Sequence, residues 1–290
     1  MLAAVPGGKD VVIRPVADED VGRVADYLHR ALNPRLDVEA WAAAIVPSWV
    51  GAGPNHGFML LLANRVVGVN VAYYATREVA GETRTFCNVA ALCVDEPHRL
   101  HTVRLIRALL RQPGLEFTDF SPSGNVVELD RRLGFRPLEH RTWLVANLPT
   151  PTRGTRVVTE PDEIARLLVG TDRQHFEDHR RALAAHHLVL VRGARTCYVV
   201  YRRDRRKGLP LFATILHVSD AGLFRSAYGA VAGHLLRRGA VASILESRVA
   251  DVSPPLGRPF HQNRPKMVKS SAVDERDVDY LYSELTCVPW

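Results

Sequence analysis

The sequence predicts an α/β protein, in the looser α+β sense, made of two similar units in tandem: residues 1–150 and residues 151–290. Three observations lead there. The 290-residue chain is long for one small domain and suits two, each able to bury a core. The stretch from Asn88 to Phe135 reads as strand, turn, helix, strand, helix, the order that leaves a fork between two neighbouring strands. The segment Leu148–Gly154 resists both helix and central strand through its two prolines and its glycine, and after it the alternation restarts.

In chain order, Val11–Val16 reads as a strand, and Asp18 or Asp20 can cap a helix carrying Val21, Val24, Ala25, Leu28, Ala31 and Leu32 at helical spacing. A second helix covers Val38–Ile45. Two strands, Gly57–Ala63 and Val66–Tyr74, meet at a turn formed by Asn64 and Arg65. The strand Asn88–Val94, the turn Asp95–His98 and the helix Arg99–Leu110 follow. Next come the strand Leu115–Phe120, a helix ending at Leu133–Phe135, and a strand pair through Phe135–Glu139 and Arg141–Leu148. The second unit reads as helices Pro161–Val169 and Arg173–Ala185, then strands His187–Val191, Thr196–Tyr201 and Phe212–Val218. Ser219 or Asp220 caps a helix from Gly222 to Arg238, followed by the strand Val241–Leu245. A final strand is expected through Tyr282–Cys287.

Composition bounds the function. Apolar residues make up 47% of the chain and charged residues 24%, ordinary values for a globular protein. No apolar run reaches the roughly 20 residues of a membrane span, and the N-terminus lacks the pattern of a secretory signal. Four cysteines, Cys87, Cys93, Cys197 and Cys287, show no disulfide-framework spacing. A soluble cytoplasmic protein with no membrane partner is therefore expected. The net charge of +7 is concentrated in the run Arg202–Lys207, read as a solvated hairpin tip in preference to a nucleic-acid contact.

Asn88–Phe135 resembles the cofactor-binding core of the GNAT superfamily of acyl-CoA-dependent N-acyltransferases. The resemblance covers about Val11 to Leu148 and rests on element order and the Leu133-Gly134-Phe135 helix end. It implies two tandem GNAT-like domains, each a mixed, mostly antiparallel twisted sheet flanked by helices. The first would hold the better-preserved acyl-CoA site and the second a degenerate copy. In the family a strand bulge precedes a loop of the form (Gln or Arg)-x-x-Gly-x-(Gly or Ala), whose N–H groups and following helix hold the CoA pyrophosphate. Laid on that pattern, Arg99 matches the leading position, and Thr102 and Arg104 stand where the glycines are expected. Leu92, Cys93, Val94, Arg99, Leu100, His101, Thr102, Val103, Arg104 and Asn125 are the cofactor-binding residues this implies. The backbone near Leu92–Val94 would polarise the thioester carbonyl, and Asn125 could cap the following helix.

Where relatives carry a tyrosine as general acid, this chain has Asp130. It is open to three readings: a carboxyl raised by burial, a substrate contact, or an exposed helix residue. Asp119, Glu82 and Glu96 are candidates for general base, Asp119 being equally able to project to solvent. Ser121, Ser123 and Asn88 could orient substrate or a relay water. The catalytic assignment is Asp119, Asp130 and Asn88, with acetyl-CoA or another acyl-CoA as co-substrate. The expected acceptor is a small amine, such as an amino sugar or specialised metabolite. The alternative is a non-catalytic GNAT-like binding or scaffold protein. Cys93 reads as a buried structural thiol. His175 and His179, four apart on a helix with His186 and His187 nearby, lack a third ligand at a recognisable spacing, so no metal is expected.

Overall fold

The computed structural model describes residues 11–49, 53–138, 141–206, 208–250, 257–260 and 265–290. The N-terminal stretch examined for a secretory signal and the basic residue Lys207 lie outside them. In the first half the elements are β1 (Val12–Pro15), α1 (Val21–Ala31), α2 (Val38–Ile45), β2 (Gly57–Leu62), β3 (Arg65–Val79) and β4 (Glu82–Val94). They continue with α3 (Thr102–Leu110), β5 (Leu115–Asp119), α4 (Gly124–Arg132) and the short β6 (Arg136–Pro137). Next come β7 (Thr142–Ala146), β8 (Arg156–Val158), α5 (Pro161–Leu167), α6 (Gly170–His179), β9 (His186–Arg192), β10 (Arg195–Arg206) and β11 (Leu209–Val218). The chain then forms α7 (Ala221–Ser226), α8 (Tyr228–Arg237), β12 (Ala242–Glu246), α9 (Ser247–Ala250), β13 (Gly257–Pro259), β14 (Met267–Lys269) and α10 (Glu284–Cys287). Among the described residues no helix is long and apolar enough to cross a membrane.

Local signals explain most boundaries. The Asp37 carboxylate accepts the Ala40 N–H at the start of α2, and Asp220 does the same for Leu223 at the start of α7. Asp20 stands at the start of α1, but its carboxylate accepts from the Ala17 N–H and from Arg14 instead of capping the helix. The expected Gly-Phe helix end is a Schellman turn. The Phe135 N–H donates to the Asp130 carbonyl and the Gly134 N–H to that of Arg131, with Gly134 at φ +90°. A Cβ at Gly134 would also sit 2.8 Å from the Lys269 ammonium.

Among the described residues two seven-stranded sheets form, in the orders β1-β2-β3-β4-β5-β14-β6 and β13-β7-β12-β11-β10-β9-β8. Each is antiparallel except for one parallel pair, β4 with β5 and β11 with β12. Three readings of the sequence are corrected here. The two strands around residues 135–148 do not pair with each other: β6 pairs with β14, and β7 pairs with β12 and β13 in the other sheet. Each sheet thus takes its penultimate strand from the distant part of the chain, which local patterning cannot reveal. The segment 282–287 is not a strand, because Ser283 accepts the Leu285 N–H and starts the short helix α10. The helix expected from Arg99 begins as a 3-10 turn over Glu96–His101, with Pro97 in its first turn, before becoming α-helical at Thr102.

A buried seam joins the sheets. The Lys266 ammonium meets Glu246 at the end of β12, Tyr280 donates its hydroxyl to the same carboxylate, and the ammonium lies 3.7 Å from the Tyr280 ring centroid. Phe86 and Phe120 from the first half share a core cluster with Val189, Tyr198 and Leu216 from the second.

Candidate active site

The pairing of β4 with β5 runs from Thr85–Leu115 to Asn88–Thr118 and then stops. Asn88 fastens this last rung, its side-chain amide donating to the Thr118 carbonyl (3.3 Å) and hydroxyl (3.2 Å). Beyond it β4 bulges. Ala90 faces Val71 and Cys93 faces Val69, so Ala91 and Leu92 stand against one residue of β3, with Ala91 at φ +49°. Both chains therefore turn away from each other and open the fork. A cleft of about 700 Å³ occupies it, within the range of ligand pockets. Its walls are Val89–Leu92 of β4, Asp119–Ser123 after β5, and Arg202, Asp204 and Arg205 contributed by β10.

Three buried carboxyl groups gather around Asp119, which itself lines the cleft. Asp119 is 6% exposed, Asp130 3% and Glu284 0%. Glu284 Oε1 accepts the Phe120 N–H (3.2 Å) and the Ser121 hydroxyl (2.8 Å), and the Glu284 N–H donates to Asn88 Oδ1 at 2.9 Å. Asp119 accepts the Ser121 N–H, the Asp130 carboxyl lies close enough for the two groups to disfavour each other's charge, and Asp130 Oδ2 is buried without a hydrogen-bond partner. Burial pushes all three pKa values up: Asp130 to about 7, Glu284 to about 7, and Asp119 well above the ordinary carboxylate value, since it also feels the Glu284 and Asp130 charges. Three such groups cannot all ionise at once, so the cluster holds protons near neutral pH and titrates as a unit.

The structure thus brings Asn88, Asp119, Asp130 and Leu92 to one place. The solvent-facing alternatives for Asp119 and Asp130 are corrected, because both carboxyls are turned inward. Glu284 joins them from a segment expected to be a strand in the second unit. Its only sequence signal is a single acidic residue in the otherwise uncharged run Tyr280–Trp290. Glu82 and Glu96 stand apart on exposed arginine pairs.

The rest of the cofactor set lies along the edge. Cys93 and Val94 end β4 and are half-buried. Burial raises the Cys93 thiol pKa, making it a poorer nucleophile at neutral pH. Arg99 and Leu100 are exposed in the 3-10 turn, and His101, Thr102, Val103 and Arg104 follow into α3. Amides here are already used, the His98 N–H donating to Asp95 and the Thr102 N–H to Arg99. Arg104 contacts the His101 ring at 3.1 Å, and Arg99 is 3.8 Å from Glu96. Asn125 is exposed in the first turn of α4, where Ser123 holds the cap position, so the expected Asn125 cap is not made.

β11 and β12 pair only over Phe212–Thr214 and Ala242–Ile244, and the extra residue at the β11 bulge, Leu216, is buried in a cluster with Tyr280 and Leu281. The basic run is also corrected in part. Arg202 is 3% exposed, donating to the Leu285 carbonyl and to Asp204, so it braces α10 and does not sit at a solvated tip.

This architecture is that of known acyltransferases. A GCN5-related N-acetyltransferase from Anabaena variabilis superposes with a TM-score of 0.60 at 13% identity, over 89% of this chain and 72% of its own. A putative acetyltransferase from Pyrococcus horikoshii gives 0.58 at 12% identity over 99% and 97% of the two chains. The chain has the GNAT-superfamily fold. The likeness extends to the Saccharomyces cerevisiae N-myristoyltransferase solved with bound myristoyl-CoA, with a TM-score of 0.54 at 9% identity over 99% of this chain and 87% of that one. No protein-family model and no curated protein matches the sequence.

Proposed function

We propose that this protein transfers an acyl group from acyl-CoA to a small amine bound in the β4–β5 cleft. The observation that carries the reading is the open fork with a buried, proton-holding carboxyl cluster gathered around Asp119 in its wall. Transfer requires a deprotonated amine, a polarised thioester carbonyl and a proton for the departing thiolate. In this reading a backbone N–H of the Ala91–Leu92 bulge polarises the carbonyl. Ionised Glu284 takes the amine proton through the Ser121 hydroxyl, which already donates to it. Protonated Asp119, which lines the cleft, gives its proton to the thiolate, and the neighbouring Asp130 carboxyl disfavours its ionisation beforehand. Asn88 acts as a positioning residue, holding both the fork and the Glu284 backbone.

Because the amides of residues 98 and 102 are occupied, CoA phosphates would be met chiefly by the side chains of Arg99 and Arg104. The same paired amides are what favours the rival reading, a GNAT-like binding protein without catalysis. Calorimetric titration with acetyl-CoA, followed by assay of free thiol release against a panel of amino sugars and other small amines, separates the two. Saturable binding with amine-dependent thiol release is expected. Binding without release under any amine supports the rival, and no binding at millimolar acyl-CoA sinks the enzyme reading.

A further inference from the structure

A second cluster of chemistry-bearing side chains lies in the second half, where side chains of α6 reach one from the end of β11. Asp172 and His175 are three apart on α6 and therefore share one face of the helix. His217 comes from β11, beside the bulge residue Leu216. One ligand atom from each of the three residues lies within 4.8 Å of those of the other two, and all three residues are half-buried.

The hydrogen bonding of this cluster is incomplete. His175 Nδ1 and His217 Nε2 are both buried and have no hydrogen-bond partner. His217 Nε2 is 3.9 Å from the nearest Asp172 oxygen, beyond hydrogen-bond range. The two imidazoles meet edge to face, with ring centroids 5.3 Å apart. Two orphaned histidine nitrogens beside one carboxylate form an arrangement that protein contacts alone leave costly. A tetrahedral ion with ligands at about 2.0–2.1 Å brings its donors to roughly 3.3 Å from one another, so a small contraction of this cluster would satisfy every free atom.

We propose that Asp172, His175 and His217 bind a divalent transition-metal ion of the zinc type, as a structural clasp between α6 and β11. Two imidazoles and one carboxylate suit zinc, cobalt or nickel better than calcium or magnesium, which favour oxygen-only shells. Three protein ligands leave a fourth position for water. The surroundings fit the role. Ser219 follows β11 near Asp172, its hydroxyl fixed by accepting the Tyr198 N–H from β10. Asp279 and Asp178 add negative potential around His175. His179 is excluded from the ligand set: its Nδ1 faces the His175 carbonyl at 2.8 Å, and its Nε2 accepts the Tyr282 N–H. The helical pair suggested by sequence spacing is thus the wrong pair, and the third ligand comes from a strand about 40 residues away. The His175 ring packs against Tyr282, two residues before Glu284, so the clasp would also steady the segment that brings Glu284 to the cleft. This inference is independent of the acyltransferase reading.

The test is titration of chelator-treated, desalted full-length protein with ZnCl2 by calorimetry, with CoCl2 as a spectroscopic probe. Wild type should bind one equivalent at micromolar or tighter affinity, with an intense visible cobalt spectrum of tetrahedral type and a raised melting temperature. His217→Ala and Asp172→Asn should each weaken binding at least tenfold, while His98→Ala should bind as wild type does. Asp172→Asn keeps shape and volume, so it remains informative if His217→Ala fails to fold. Absence of saturable zinc binding by wild type overturns the proposal, as does equal binding by wild type and Asp172→Asn.

Discussion

At the scale of single residues, Glu284 concentrates the conflict between stability and chemistry. Its folded pKa is raised to about 7 by burial, above the ordinary glutamate value. The native state therefore holds a proton that the unfolded chain releases. Stability from this group is fully present below the ordinary value and is lost as pH rises through about 7. Glu284→Gln keeps the shape and an oxygen for Phe120 N–H and Ser121, so it should unfold later than wild type at pH 8, by on the order of 2 kcal/mol, and show a smaller gain at pH 5. Denaturant melts at the two pH values check this. The same substitution should lower kcat/KM by about 10²–10⁴ if Glu284 is the base, and Asp119→Asn by a similar factor. The rate profile should be bell-shaped, rising through about pH 7 as the cluster loses one proton and falling as it loses the last. A flat profile from pH 6 to 9 contradicts both roles. Asn70 offers a simpler case. It is fully buried in β3, and both polar atoms of its side chain lack a partner. Asn70→Val, which removes them and suits a strand, should raise stability by about 1 kcal/mol in a thermal melt.

At the scale of elements, the sequence was legible in many places where the information was local, though not at Asp20 or Asn125, whose expected caps are not made. The Asp220 cap and the Gly134 helix end are set by residues within a few positions of one another, and the β4–β5 order followed from the alternation of elements. Asp119 and Asp130 were nameable because motif spacing put them near the fork, but their burial was not, because it depends on α10 arriving from residues 284–287. The 3-10 turn at residues 96–101 was missed for another reason: Pro97 in the first turn is compatible with either helix type. That turn leads to a prediction of its own. If CoA phosphates are held by side chains, Arg99→Ala with Arg104→Ala should raise KM for acyl-CoA about tenfold or more with kcat nearly unchanged, and should flatten its salt dependence. If the paired amides open and do the binding, the double variant will leave KM within twofold of wild type.

At the scale of the whole molecule, the exchange of β7 and β14 makes the two sheets depend on each other. A boundary at residue 150 divides the chain but not the sheets, since β7 lies before it and pairs with β12, while β14 lies after it and pairs with β5. The cleft follows the same logic, with walls from β4, β5 and β10 and its carboxylate from α10. The seam at Lys266 and Glu246 is where this dependence can be measured. Lys266 is 4% exposed and Glu246 1%, and Tyr280 adds its hydroxyl and its ring to the pair. Removing one member of such a pair leaves the other charge buried, which costs about 3–5 kcal/mol. Lys266→Ala should therefore destabilise both sheets together. Trp49, which packs on Tyr73 of the first sheet and on His179 and Tyr282, and Trp143 on β7 of the second sheet give two local signals when each is retained alone. Their fluorescence should follow one common unfolding curve in wild type, and in Lys266→Ala both curves should shift to lower denaturant by the same amount. A shift confined to Trp143 would mean that the sheets unfold independently despite the exchanged strands. A common shift means that the cleft, which needs both halves, is lost only when the whole molecule is.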